Sequence, residues 1–279
     1  MKRYRVKPGA KLSFKQYDPD DTGEYKKSDQ GKEKAKAETA KFIAGLDGLQ
    51  ERLYANATRS LLIVLQGMDT SGKDGTIKSV MSGINPQGCK VAAFKAPSKD
   101  ELARDFLWRI HREVPPKGYI GIFNRSHYED VLITRVHGWV SEKVAKCRLD
   151  QIKEFEELLT ENGTTVLKFF LHISKAEQKE RLEARIADPE KRWKWSSGDL
   201  EERKLWDKYQ KAFEDVLSAT STERTPWYVV PADNKWFTRV VVAAAVIDAL
   251  ASLKLHYPKV SDAQRQALAE AKKVLLAKK

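Results

Sequence analysis

Residues Leu61 to Thr76, reading LLIVLQGMDTSGKDGT, leave a chain few ways to fold. The branched apolar run Leu61–Leu65 has the length of a buried strand, and it feeds directly into a loop carrying Gly67, Gly72, Lys73 and Gly75. Glycines at that spacing let consecutive backbone N–H groups turn inward around an anion, and a lysine at the end of the loop reaches the more distant phosphates. Gly67, Thr70, Ser71, Gly72, Lys73, Asp74, Gly75 and Thr76 are therefore the candidate phosphate contacts. The usual Ser or Thr after the lysine is replaced by Asp74, and a second carboxylate, Asp69, lies inside the loop. Two carboxylates beside a phosphate cradle suit a hard cation; capping of the loop or of the following helix is the alternative use for each.

The rest of the chain alternates in the same way. Strands are expected at Lys90–Phe94, Tyr119–Phe123, Thr165–Leu171 and Trp227–Val230, with helical spacing between them. A helix is expected over Ala35–Tyr54. Ser98 and Glu101 form a capping box for a helix reaching Val114, and Ser174 and Glu177 form another. Asn162-Gly163 stops a helix that starts at Ser141. Leu200–Leu217 reads as one helix, and the nearly all-apolar Val240–Leu253 reads as a buried one. Five strands separated by helices make an α/β chain with a parallel sheet covered on both faces, and sites in such folds lie beyond the carboxyl ends of the strands. Residues 1–33 show little apolar periodicity and read as an arm or extended lead-in rather than a domain, residues 34–258 as one domain, and residues 259–279 as a surface helix.

Charge narrows the partner. Lysine and arginine outnumber aspartate and glutamate to give +12, which attracts a polyanion: nucleic acid, an anionic membrane or a phosphate polymer. The longest apolar run, Val240–Ile247, is far short of a membrane span, and the basic N-terminus is followed by no apolar core, so a soluble cytoplasmic protein is expected. Cys89 and Cys147 fit no metal-ligand pattern and read as two small buried residues of a reducing compartment.

Arg125, just past a strand end, is suited to orient an acceptor phosphate, or to pair with Glu129 or Asp130 at the surface. Arg181 and Arg185, four apart, share one helical face in a segment from about 178 to 203 that reads as a lid, or as a solvated helix bridged to Glu180 and Glu183. Trp193 and Trp195 flank Lys194 and would contact a base or bury against the lid's own root. His127 and His137 are discounted as general bases, because an acceptor phosphate is already ionised at neutral pH.

Several separated stretches resemble the type 2 polyphosphate kinases: GMDTSGKDGT from Gly67, KAPSKDELARDFLWRIHREVP from Lys95, FNRSHYEDVLITRV from Phe123, HISKAEQKERLEARIADPEKRWKWSSGDLEER from His172, and WYVVPADNKWFTR from Trp227. That resemblance implies a P-loop kinase fold with a helical lid and Mg²⁺-dependent (or Mn²⁺-dependent) phosphoryl transfer between inorganic polyphosphate and AMP, ADP or ATP. It implies no nucleic acid or membrane partner, and a dimer or tetramer. By the same similarity Asp69 matches the metal-binding carboxylate, Lys73 the loop lysine, Arg125 the strand-end arginine, and Arg181 and Arg185 the lid arginines, with Lys95, Asn124, Arg125 and Glu129 toward the nucleotide. Asn124 stands where many members carry aspartate, and Glu129 where they carry a neutral residue, which leaves Glu129 or Asp130 to supply a second metal carboxylate; Asp130 is the one assigned beside Asp69. This form of the motif resembles the branch that accepts both AMP and ADP. An ATP-dependent nucleoside monophosphate kinase and a nucleic-acid-binding protein with a vestigial loop are the rival readings.

Overall fold

The apolar run ahead of the phosphate loop becomes the middle strand of the sheet. The computed structural model describes residues 2–277; Met1, Lys278 and Lys279, at the ends of the expected arm and tail helix, lie outside the described residues. A long helix α1 (Asp29–Asn56) is capped by Ser28, whose side chain accepts from Gly31 N–H, and is closed by Ala57 in the left-handed region. It leads into β1 (Ser60–Gln66), every residue of which is buried. Then follow α2 (Lys73–Val80), β2 (Cys89–Ala93), the short turns α3 (Lys99–Leu102) and α4 (Trp108–His111), β3 (Ile120–Asn124), α5 (Glu129–Val136) and α6 (Glu142–Glu161). The chain continues through β4 (Thr164–His172), α7 (Lys175–Ala187), α8 (Ser197–Lys204), α9 (Trp206–Thr220), β5 (Trp227–Pro231), α10 (Lys235–Ser252) and α11 (Asp262–Leu276).

All five strands run parallel in the order β2-β3-β1-β4-β5. β1 lies between β3 and β4, and the chain leaves β1 for β2 on one side but leaves β4 for β5 on the other, so the phosphate loop sits where the winding reverses, where open α/β sheets bind ligands. Leu61, Leu62, Ile63 and Val64 are fully buried, each contributing roughly 1.5–3 kcal/mol of apolar transfer. Among the described residues no helix is long and apolar enough to cross a membrane.

Five expectations need correction. Residues before Glu33 are not a free arm: Tyr4, Val6, Leu12 and Phe14 join the core, Val6 N–H donates to Trp227 O at 2.8 Å, and Phe14 stacks on Phe170 at 4.8 Å. These apolar residues have no common period because each meets a different point on and around β5, which would otherwise be an open edge. The Ser98–Val114 helix is two separate turns. Its capping box forms, but Asp105 then accepts from Leu107 N–H at 3.0 Å and interrupts the helical ladder. The Leu200–Leu217 helix breaks at Leu205. Ser174 caps Glu177 N–H, yet the Glu177 carboxylate turns to Arg181 at 2.7 Å while Asp233 takes Ser174 N–H, so no capping box forms there. Cys147 is exposed rather than buried.

Candidate active site

The segments that leave the carboxyl ends of the strands line one cavity of about 590 Å³: the loops after β1, β2 and β3, and the helices α7 and α10 that follow β4 and β5. Its floor is the phosphate loop. Gly67 has φ +151°, and a Cβ there would stand 2.8 Å from Leu171 O and 2.7 Å from Ser71 Oγ, so only glycine lets the loop leave β1 against β4. Gly72, at φ +101°, and Thr70, at φ +63°, complete the curl. Lys73 opens α2 with its ammonium folded back onto Gly67 O at 2.8 Å and Met68 O at 3.2 Å. Burial, and then the neighbouring Arg125, push its pKa down to about 8 against the opposing pull of Asp69, Glu129 and Asp74. The hydroxyls of Thr70 and Ser71 are buried in the same loop with no hydrogen-bond partner. Orphaned hydroxyls, a helix N-terminus without a side-chain cap and an inward ammonium together form a cradle that a phosphate would complete.

Another part of the cavity wall comes from β3. Asn124 closes the strand and donates to Asp74 Oδ1 at 2.6 Å. Arg125 follows in the left-handed region, φ +63°, which swings its guanidinium between Asp69 and Glu129, the latter at 3.3 Å. Burial works against its charge, yet the two carboxylates outweigh that and raise its pKa. Thus Asp69, Lys73, Asp74, Asn124 and Arg125 converge with Lys95, which leaves the end of β2 on the same cavity.

The two arginines of the segment expected to form a lid differ in kind. Arg181 is only 9% exposed and held on all three nitrogens, donating to Thr70 O at 3.0 Å, Ala232 O at 2.6 Å and Asp233 O at 2.9 Å as well as to Glu177. It braces the loop backbone from α7 while forming part of the cavity wall. Arg185 also lines the cavity, but pairs with Asp199 at 2.9 Å across the lid. Trp193 and Trp195 are exposed rather than buried at the lid's root.

Asp130 does not join Asp69. It sits one residue beyond Glu129 on α5, about 100° round the helix, where it meets Arg109 at 3.2 Å and faces a different cavity. Burial raises its carboxyl pKa despite Arg109. The second-carboxylate assignment to Asp130 is therefore corrected, and Asp74 is the other loop carboxylate in the cavity wall. Among the described residues no group of three or more His, Cys, Asp or Glu could hold a metal alone. One or two carboxylates with substrate phosphates completing the shell is the arrangement Mg²⁺ tolerates, so the oxygen donors of Asp69 and Asp74 fit such an ion. His127 is buried against Glu156 and His137 pairs with Glu202, both outside the cavity wall.

Two cations were not singled out from sequence. Lys235 and Arg239 lie one turn apart at the start of α10, directly beyond β5, and line the cavity. Burial, followed by repulsion from Arg181, lowers the Lys235 pKa. Their signal was available: two bases spaced i and i+4 at the head of an otherwise apolar helix.

Comparison with known proteins agrees with this geometry. The model of the family described as polyphosphate kinase 2 matches residues 29–258. A protein of Meiothermus ruber named AMP/ADP-polyphosphate phosphotransferase is 48% identical over 97% of this chain and 100% of its own length. An ADP-polyphosphate phosphotransferase of Rhodopseudomonas palustris is 47% identical over 84% of this chain and 85% of its own. The crystal structure of polyphosphate kinase 2 from Arthrobacter aurescens superposes with a TM-score of 0.89 at 45% identity, covering 96% of this chain and 95% of that one. With a phosphate cradle at the switch point of a five-stranded parallel sheet and these matches over nearly its whole length, the chain belongs to the polyphosphate kinase 2 family.

Proposed function

We propose that this protein moves the terminal phosphoryl group of inorganic polyphosphate onto AMP and ADP, giving ADP and ATP, reversibly and without a phosphoenzyme. The observation that carries this reading is the single cavity in which the phosphate loop, Arg125 and the cations of α7, the lid and α10 face one another. Phosphoryl transfer asks for little else: two oxygens held in line and charge neutralised on the group in flight. Lys73, the loop amides and the free Thr70 and Ser71 hydroxyls would hold the donor phosphates, and Arg125 would orient the acceptor phosphate. Lys95 and Asn124 would contact the nucleotide, while Glu129, expected beside them, lies behind Arg125 and outside the wall of this cavity. A chain anion charged at every repeat needs many cationic contacts, which Arg185, Lys191, Lys194, Lys235 and Arg239 supply. The relative named for both AMP and ADP, identical at 48% of positions, supports the dual acceptor range.

Mg²⁺, or Mn²⁺ in its place, would be held by Asp69 with Asp74 in reach, supplying charge neutralisation between donor and acceptor oxygens. Cytoplasmic residence suits two unpaired cysteines, and homo-oligomerisation, readable by light scattering, belongs to the same reading. The deciding experiment supplies purified protein with Mg²⁺, polyphosphate and each of AMP, ADP, GMP and GDP, with ATP omitted. Formation of ADP and then ATP supports the proposal; turnover only when ATP is added would make the protein a nucleoside monophosphate kinase.

A further inference from the structure

Gln66 is the last residue of β1 and is wholly buried, one position before the phosphate loop begins. One end of its amide lies 2.9 Å from Glu129 Oε1 and the other 3.1 Å from both the backbone nitrogen and the hydroxyl of Ser126; hydrogen-bond complementarity assigns the nitrogen to the Glu129 end, as donor to the carboxylate, and the oxygen to the Ser126 end, as acceptor from the N–H and the hydroxyl. The reverse orientation would press a carbonyl oxygen against a carboxylate. The other oxygen of Glu129 meets Arg125 Nη1 at 3.3 Å, and Arg125 Nη2 meets Asp69. Arg125 is also held through its backbone, its N–H donating to Leu65 O at 3.0 Å. One chain of donors and acceptors thus runs Gln66–Glu129–Arg125–Asp69 from inside the sheet to the cavity.

We infer that Gln66 is a positioning residue for the acceptor arginine: by occupying one oxygen of Glu129 it leaves only the other for Arg125. A carboxylate with both oxygens free would take the guanidinium in a two-pronged grip and draw it away from Asp69 and the acceptor phosphate. Gln66 reaches Glu129 and Ser126 together, and these are the ion-pair partner and the immediate neighbour of the left-handed residue at position 125. This inference rests on the proposed function for the identity of the acceptor.

The test is a double-mutant cycle in steady-state kinetics with AMP and polyphosphate. Gln66→Leu keeps the bulk but cannot donate, and it is expected to lower kcat/KM for AMP about tenfold, the scale of a hydrogen bond to a charged group, while KM for polyphosphate changes little. In a Glu129→Gln background the same substitution should cost almost nothing. Equal losses in both backgrounds, or parallel rises in KM for both substrates, would mean a structural role only and overturn the inference. Gln66→Glu gives a second route should the leucine variant fail to fold. Two adjacent carboxyls share a proton at low pH, one of them titrating upward, so activity should survive in acid and fall as the pH rises, shifting the optimum downward. An unshifted profile counts against the inference. Wild-type protein inactive with polyphosphate would refute the proposed function instead, and AMP affinity by calorimetry across the same cycle would then decide the role of Gln66.

Discussion

Lys73 should take up a proton when a phosphate chain binds. In the ligand-free protein its ammonium is buried beside Arg125 and its pKa lies at about 8 rather than 10.5. Anionic phosphate within a few ångströms favours the charged form, so binding restores the ordinary order. A site with that pKa is about half deprotonated at pH 8, roughly nine-tenths at pH 9 and about a tenth at pH 7, and those fractions are the protons gained per site on binding. Arg125 acts against the charge, while Asp69, Glu129 and Asp74 act for it. Titration calorimetry of tripolyphosphate in buffers of different ionisation enthalpy gives the uptake directly. The expected slope rises steeply from pH 7 to pH 9 and is lost in Lys73→Met. A flat slope across that range, or the same uptake in the methionine variant, would refute a buried, partly neutral Lys73.

Phe14→Ala should destabilise the fold by about 3–5 kcal/mol in urea denaturation, because the ring stacks on both Phe170 and His172; an unchanged midpoint would restore the free-arm view. Glu156→Gln should cost about 3–5 kcal/mol, since it strands the buried Lys168 that now pairs with it at 2.5 Å. Burial alone would raise the Glu156 carboxyl, but Lys168 and His127 hold it at about 2; its contribution is present above the unfolded-state value and fades only as the pH falls through about 2, a limb that acid-denaturation curves of the variant should lack. Asp69→Asn should raise the Mg²⁺ concentration needed for half-maximal rate by tenfold or more if its charge holds the ion, whereas Asp130→Asn should leave that requirement where it was, because Asp130 answers Arg109.

The parallel sheet, the phosphate loop and the identity of most cavity residues were legible in the linear order of residues, because they depend on local rules. A buried strand is a short apolar run, a loop that turns its amides inward needs glycine at set places, and sites follow strand ends. Lys73, Asp69 and Arg125 were readable for that reason. Their roles were less so. That Arg181 spends its donors on Thr70, Ala232 and Asp233 depends on β5 and α7 meeting the loop. That Asp130 meets Arg109 while Glu129 meets Arg125 depends on a single helical step once α5 is seated. Likewise the first residues looked featureless because their apolar side chains each contact a different part of the fold, so no period betrays them. Gln66 belongs to the same class: as a residue type it announces nothing, and its amide has a task only because β3 and the start of α5 bring Ser126 and Glu129 to it. Periodicity and spacing report what a residue does with its neighbours along the chain; partners that come from distant segments exist only once the chain has closed.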